Sequence, residues 1–120
     1  MKARKPVTVA IAIIIVFITV FLAIGYTQPF SRIRVEVYNV WHTGASIMVF
    51  VDNATNGKVY EVPSMVQMVL GVWPVHAGTH NVTIVSDDFL DMVYNTRELS
   101  RTVHAWPYET VTAFWGLALI

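Results

Sequence analysis

The chain has 120 residues, no cysteine, and eight basic against eight acidic side chains, for a formal net charge of zero. The absence of cysteine excludes a disulfide framework, thiolate zinc or iron–sulfur ligation, and a lipoprotein-type cysteine anchor. The charge is unevenly spread: Lys2, Arg4 and Lys5 precede any acid, while from Arg32 onward five basic residues stand against eight acidic ones, which leaves no electrostatic case for a nucleic-acid partner.

Residues 1–5 form a short basic tail. They are followed by "PVTVAIAIIIVFITVFLAIG", in which only Thr8 and Thr19 are polar, and no charge appears between Lys5 and Arg32. Crossing a hydrocarbon core of about 30 Å at about 1.5 Å per residue takes roughly 20 helical residues, so residues 6–27 read as a transmembrane helix. Ile and Val are modest helix formers in water, but lipid offers unpaired backbone groups no alternative partner. Because the cations lie before the span, the positive-inside rule puts the N-terminus in the cytoplasm and the rest of the chain outside. Tyr26 and Phe30 fall where the far headgroup layer favours aromatic rings. A cleaved signal peptide is the competing reading, with Ala23-Ile24-Gly25 as its small-residue site. Apolar stretches of signal peptides usually run about 7–15 residues, shorter than this one, which favours a retained anchor.

Residues 28–31 read as a linker and residues 32–120 as one external domain. In "RIRVEVYNV", Ile33, Val35 and Val37 alternate with Arg32, Arg34 and Glu36, the pattern of a half-buried strand. After Gly44, "SIMVFVD" is apolar on both faces and reads as a central strand. "NATNG" is a turn cluster in which Asn56-Gly57 carries the tight-turn signal, with "KVYEV" as the return strand. "MVQMVLGVWPV" reads as two short extended pieces around Gly71, the second confined by Pro74 to an edge or a strand end. "HAGTHNVTIV" places Gly78 in a turn before a strand that carries Val82 and Ile84 on one face. Ser86-Asp87-Asp88 is a helix-cap signal for residues 89–94, with a loop carrying an apolar plug as the alternative. "RTVHAW" and "ETVTAFW" supply the last two strands, with Val111, Ala113 and Trp115 on one side. About seven short strands separated by turn signals predict an antiparallel β-sandwich, so the fold class is mainly β with one N-terminal transmembrane α-helix.

The combination "VFVDN...GKVYEV...WPVHAGTHNVTIV...PYETVTAFW", over residues 32–116, resembles the immunoglobulin-like or fibronectin-like sandwich ectodomains of membrane-anchored proteins. That resemblance implies an external binding or structural domain and carries no activity of its own. A second likeness, in "KARKPVTVAIAIIIVFITVFLAIG", is to archaeal type IV pilins and archaellum-associated proteins. It implies an apolar helix packed in a filament core, although Pro6 departs from the small residue expected at the processing site.

His42, His76, His80 and His104 are the residues with catalytic or metal-binding potential. Of these, His76, His80 and His104 are the metal candidates, but Pro74 and Gly78 make a turn of the His76–His80 stretch, and a site would have to be assembled from distant strands. The reading is therefore histidines at strand ends, with no metal and no cofactor. Asp87, Asp88 and Asp91 lack the spacing of an EF-hand loop and read as a solvated cap. No Ser-His-Asp order, phosphate-cradling glycine loop or zinc-protease helix can be read, so an enzyme is not expected. Asn53-Ala54-Thr55 and Asn81-Val82-Thr83 are glycosylation sequons on the external side, with Asn53 the more accessible.

Surplus apolar surface is the more informative signal. Residues 65–75 hold one polar side chain, Gln67, no charge follows Glu109, and all four tryptophans fall in the external domain. Met65, Met68, Leu70, Trp73, Phe114, Trp115, Leu117, Leu119 and Ile120 are the expected interface, and removal of residues 116–120 is expected to release partners without unfolding the domain; the competing reading is that the tail folds back as an edge strand of its own sandwich. The function that follows is a non-catalytic, single-pass, membrane-anchored subunit, its sandwich docking onto other membrane-protein subunits or copies of itself. A filament subunit and an external histidine-based metal-binding module are the alternatives.

Overall fold

The computed structural model describes residues 5–40, 43–86 and 98–117. Trp41, His42, the three clustered aspartates, the expected helix over residues 89–94, Leu119 and Ile120 lie outside them.

Lys5–Thr27 form one α-helix, α1, of 23 residues. Its hydroxyls serve themselves: Thr19 Oγ1 donates to the Ile15 carbonyl at 2.8 Å and Thr27 Oγ1 to the Ala23 carbonyl at 2.8 Å. Such bonds to the preceding turn ask nothing of a solvent. Every described side chain of the helix is exposed, and only Gly25, near its C-terminal end, is buried.

Seven strands follow: β1 Ser31–Asn39, β2 Ala45–Val51, β3 Ala54–Val62, β4 Val66–Val75, β5 Gly78–Val85, β6 Glu98–Ala105 and β7 Thr110–Leu117. They make two sheets, one ordered β4-β1-β7 and the other β3-β2-β5-β6, packed as a sandwich. All pairings are antiparallel except β1 with β7. That exception to the expected antiparallel arrangement follows from the path of the chain. β6 descends in one sheet, the turn at residues 106–109 crosses to the other, and β7 climbs beside β1 from the end at which β1 also begins. The partition of strands also differs from the constant-type immunoglobulin arrangement, in which the first two strands share a sheet; here β1 and β2 face each other across the core.

The alternation read in β1 holds, with Ile33, Val35 and Val37 fully buried. Opposite them stand Ile47 and Val49 of β2 and Val82 and Ile84 of β5, and Ala113, Trp115 and Leu117 of β7 complete the same core. β2 is central as expected, but its second face, Ser46, Met48 and Phe50, is only half covered. Each open side of the sandwich carries a contact made on a tryptophan ring. The Tyr60 and Trp73 rings meet edge to face between β3 and β4, and the Arg101 guanidinium lies 5.5 Å over Trp115 between β6 and β7.

Two local expectations are corrected. The tight turn after β2 is Asp52-Asn53, with φ of 50° and 66°, and not Asn56-Gly57. A two-residue hairpin turn of the type I′ class needs positive φ at both positions, and Asp and Asn tolerate it because their short side chains bond locally. Asn56-Gly57-Lys58 instead bulge from β3 opposite the single residue Val49, with Gly57 at φ 76°. Likewise, residues 66–75 are one strand and not two pieces: the backbone runs through Gly71, and Leu70 is the extra residue of a bulge between the Val35–Gly71 and Glu36–Val69 pairs. Pro74 is accommodated because β4 is an edge strand.

Candidate functional site

The helix and the sandwich meet at one built joint. Only three residues separate α1 from β1, and they are tied down: the Gln28 N–H donates to the Ile24 carbonyl and the Phe30 N–H to the Gln28 carbonyl, both at 2.9 Å. The β6–β7 turn then reaches back to the helix. Tyr108 donates its hydroxyl proton to the Phe21 carbonyl at 2.6 Å and stacks on the Phe21 ring at a centroid distance of 4.1 Å. Gly25 makes this approach possible, because a Cβ there would lie 2.6 Å from Pro107 Cβ and 2.7 Å from Tyr108 Cε2.

The turn is fixed from its other side as well. Ser31, fully buried, donates from Oγ to the Trp106 carbonyl at 2.7 Å. The Glu109 N–H donates to the same carbonyl at 3.0 Å, and the Arg32 N–H donates to the Glu109 carbonyl at 2.9 Å. Tyr108 itself sits at φ 64°, a region that costs a bulky residue on the order of 1–3 kcal/mol and persists only where the surroundings impose it. Around the joint, Tyr26, Phe30 and Trp106 each leave half or more of their surface open, and Trp106 touches the His104 ring edge to face at 4.8 Å.

The candidate metal set is not brought together. His80 is spent on structure: Nδ1 lies 2.5 Å from Asp52 Oδ2, and Nε2 lies 2.6 Å from the carbonyl of His76, whose ring takes no part. His104 Nδ1 bonds Thr79 Oγ1 at 3.3 Å. Among the described residues no three His, Asp or Glu side chains converge on a point. Asp52 also accepts the Asn81 N–H at 2.9 Å, so this cluster pins the β2–β3 turn against β5 beside an open groove of about 400 Å³. Burial raises the Asp52 pKa, but the Asn81 N–H and the His80 ring outweigh it and leave the carboxyl below its ordinary value. Burial likewise pulls His80 down, while the Asp52 bond, the His76 carbonyl and the Asp52 charge raise it above the ordinary value. Two acceptors on the two ring nitrogens favour the imidazolium form.

The expected interface residues divide. Leu70, Trp115 and Leu117 are buried in the domain's own core, and Met68 and Trp73 are packed against it. Met65, in the turn before β4, and Phe114 of β7 are exposed, and Val69 and Val72 of β4, which the sequence reading did not single out, stand open as well. On the outer face of the β4-β1-β7 sheet the two apolar borders are separated by the β1 row Arg32, Arg34 and Glu36. Within it Arg34 and Glu36 pair at 3.9 Å and Gln67 Nε2 donates to Glu36 Oε1 at 2.7 Å. Removing residues 116–120 would therefore pull Leu117 from the core, contrary to expectation. Asn53, in its turn, and Asn81, on the outer face of β5, are both exposed.

Sequence reasoning missed the joint. Tyr26 and Phe30 stood out beside the span, but nothing in the pattern of "WPYE" announces that Tyr108 returns to Phe21 across 87 positions. No protein-family model, no curated protein and no solved structure matches this chain.

Proposed function

We propose that this protein is a single-pass membrane protein, N-terminus in the cytoplasm, whose external sandwich is a non-catalytic docking subunit of a membrane or cell-surface assembly. The observation that carries the anchor is the joint at Gly25. The helix is seated in the folded domain at its C-terminal end, whereas no residue of its most apolar eighteen-residue stretch is buried by protein. A helix of that hydropathy exposed to water is untenable, and lipid is the solvent that covers it. Cleavage after Gly25 would strip Tyr108 of Phe21, so the joint also favours retention over removal as a signal peptide. The docking half of the proposal rests on Val69, Val72 and Phe114, open apolar side chains on the two edge strands β4 and β7, with Met65 exposed in the turn before β4.

Alkaline extraction of membranes from expressing cells tests the anchor, with protease added to intact cells testing its direction. The protein is expected in the pellet, with its sandwich cut from outside; release into the alkaline supernatant overturns the anchor. For docking, Val72→Ser with Phe114→Ser is expected to lower co-purification with neighbours while the thermal unfolding midpoint stays in place. The filament alternative draws on the same free helix, whose side chains Val9, Ile13, Val16, Phe17 and Val20 line an apolar surface groove that another helix would fill. Sequencing the N-terminus of the mature protein separates the two: a start at Met1 supports the anchor, a start just after Lys5 the filament.

A further inference from the structure

The joint lies at a definite height along the helix. A lysine ammonium does not enter hydrocarbon, so Lys5 marks the inner boundary of any bilayer that α1 crosses. Twenty residues further, the length that spans a core of about 30 Å, the outer boundary falls near Gly25. Phe21 is then below that boundary, by about 6 Å at roughly 1.5 Å per residue. Tyr108, bonded to the Phe21 carbonyl, cannot stand clear of the headgroup layer, and neither can the turn that carries it.

From this geometry we propose that the β6–β7 turn is a lipid-contacting element, with Trp106, Phe30 and Tyr26 forming an aromatic collar in the outer headgroup layer. The proposal rests on the membrane-anchor reading and adds an orientation to it: the sandwich does not swing on a tether but sits on the leaflet, end down. The chemistry of the turn suits that place. The Trp106 and Glu109 carbonyls and the Glu109 N–H are served internally, by Ser31, Arg32 and the turn itself, and Pro107 has no N–H to satisfy. The Tyr108 hydroxyl has a protein acceptor and so needs no water at that depth. The exposed rings are of the kind that settles between headgroups and acyl chains, and they come from the last turns of α1, the connection to β1 and the β6–β7 turn. The partner is the bilayer's own interface, continuous with the lipid around α1.

The test is tryptophan quenching of the full chain reconstituted in phosphatidylcholine vesicles that carry a nitroxide on the headgroup, high on the acyl chain, or near the bilayer centre. Co-flotation with the vesicles is measured on the same sample. The two shallow nitroxides are expected to quench part of the emission and the deep one much less, and Trp106→Phe is expected to remove most of the shallow quenching. Thermal unfolding is expected to be unchanged in Trp106→Phe, because the ring is open to solvent. Protein that co-floats while wild type and Trp106→Phe quench equally overturns the collar and leaves the anchor standing. Protein that does not co-float overturns the anchor, and the collar with it.

Discussion

Tyr108 holds Phe21 twice, through a 2.6 Å hydrogen bond to its carbonyl and through a stack of the two rings at 4.1 Å. The two contacts differ in kind: the first fixes the height of the turn on the helix, the second its azimuth. Together they explain why a tyrosine is kept at φ 64°, where it is strained. Strain of this sort persists when the surroundings over-determine the conformation, and here Ser31, Glu109 and the helix do so from three sides.

Replacing Gly25 with Leu separates helix propensity from the joint. Gly is about 1 kcal/mol worse than Ala in a helix interior, so the substitution improves the helix taken alone. The new Cβ, however, falls 2.6 Å from Pro107 Cβ, well inside contact, and drives the turn away. Spin labels on α1 and on β5 are expected to give a single narrow distance distribution in the wild type and a broad one in Gly25→Leu, with the unfolding midpoint of the sandwich little changed. A distribution that stays narrow would show that the joint does not depend on this close approach.

Tyr108→Phe removes the hydroxyl and keeps the stack. A hydrogen bond of this type contributes about 0.5–1.5 kcal/mol net, so the joint should open more often by roughly two- to tenfold. Amide exchange read at Gln28 and Phe30, whose N–H groups donate to the Ile24 and Gln28 carbonyls beside the joint, is the measure. Unchanged protection at both amides would mean that the phenol contributes nothing to holding the connection.

The fold was legible where a single local rule decides. Period-two alternation put Ile33, Val35 and Val37 inward and Val82 and Ile84 on one buried face, although Gly78, read as part of a turn, is the first residue of β5; burial on one side of a sheet imposes that period whatever the topology. The hairpin at Asp52-Asn53 was misassigned to Asn56-Gly57 because both dipeptides tolerate positive φ, and the register that chooses between them belongs to the pairing with β2. Apolar composition overstated the interface for a related reason. Leu70, Trp115 and Leu117 are as apolar as Phe114 and Val72, and only the alternation along β4 and β7, with a bulge at Leu70, assigns them to the core. The joint was illegible because a contact between positions 21 and 108 leaves no local pattern.

Two truncations resolve the role of the C-terminal strand. Leu117 is fully buried, and its carbonyl accepts the Val40 N–H at 3.0 Å. A chain ending at Leu117 keeps the whole of β7 and serves as the reference. A chain ending at Trp115 loses a core leucine and the last ladder pairs of β7 with β1, a change that costs about 2–5 kcal/mol by analogy with Leu→Ala substitutions. Thermal unfolding of the two proteins in the same detergent checks this. Equal midpoints would place Leu117 outside the structural core.

The Asp52–His80 pair gives the sandwich a pH dependence whose sign follows from the two shifts. His80 titrates above its ordinary value of 6.5 in the folded chain, so its contribution is complete below 6.5 and is lost as pH rises through the raised value. Asp52 titrates below its ordinary 3.8, so its contribution is complete above 3.8 and is lost as pH falls through the lowered value. The pair therefore supports the fold fully between those two ordinary values and weakens on either side. The Asp52 side chain is half exposed, so water screens the interaction to a few tenths of a kcal/mol, about 1–4 °C in the unfolding midpoint. The midpoint is expected to fall by that amount from slightly acidic to alkaline pH in the wild type, and His80→Gln, which keeps a donor towards Asp52 without a charge, is expected to flatten that limb. A wild-type midpoint that rises on the same titration would mean that His80 is neutral in the folded domain.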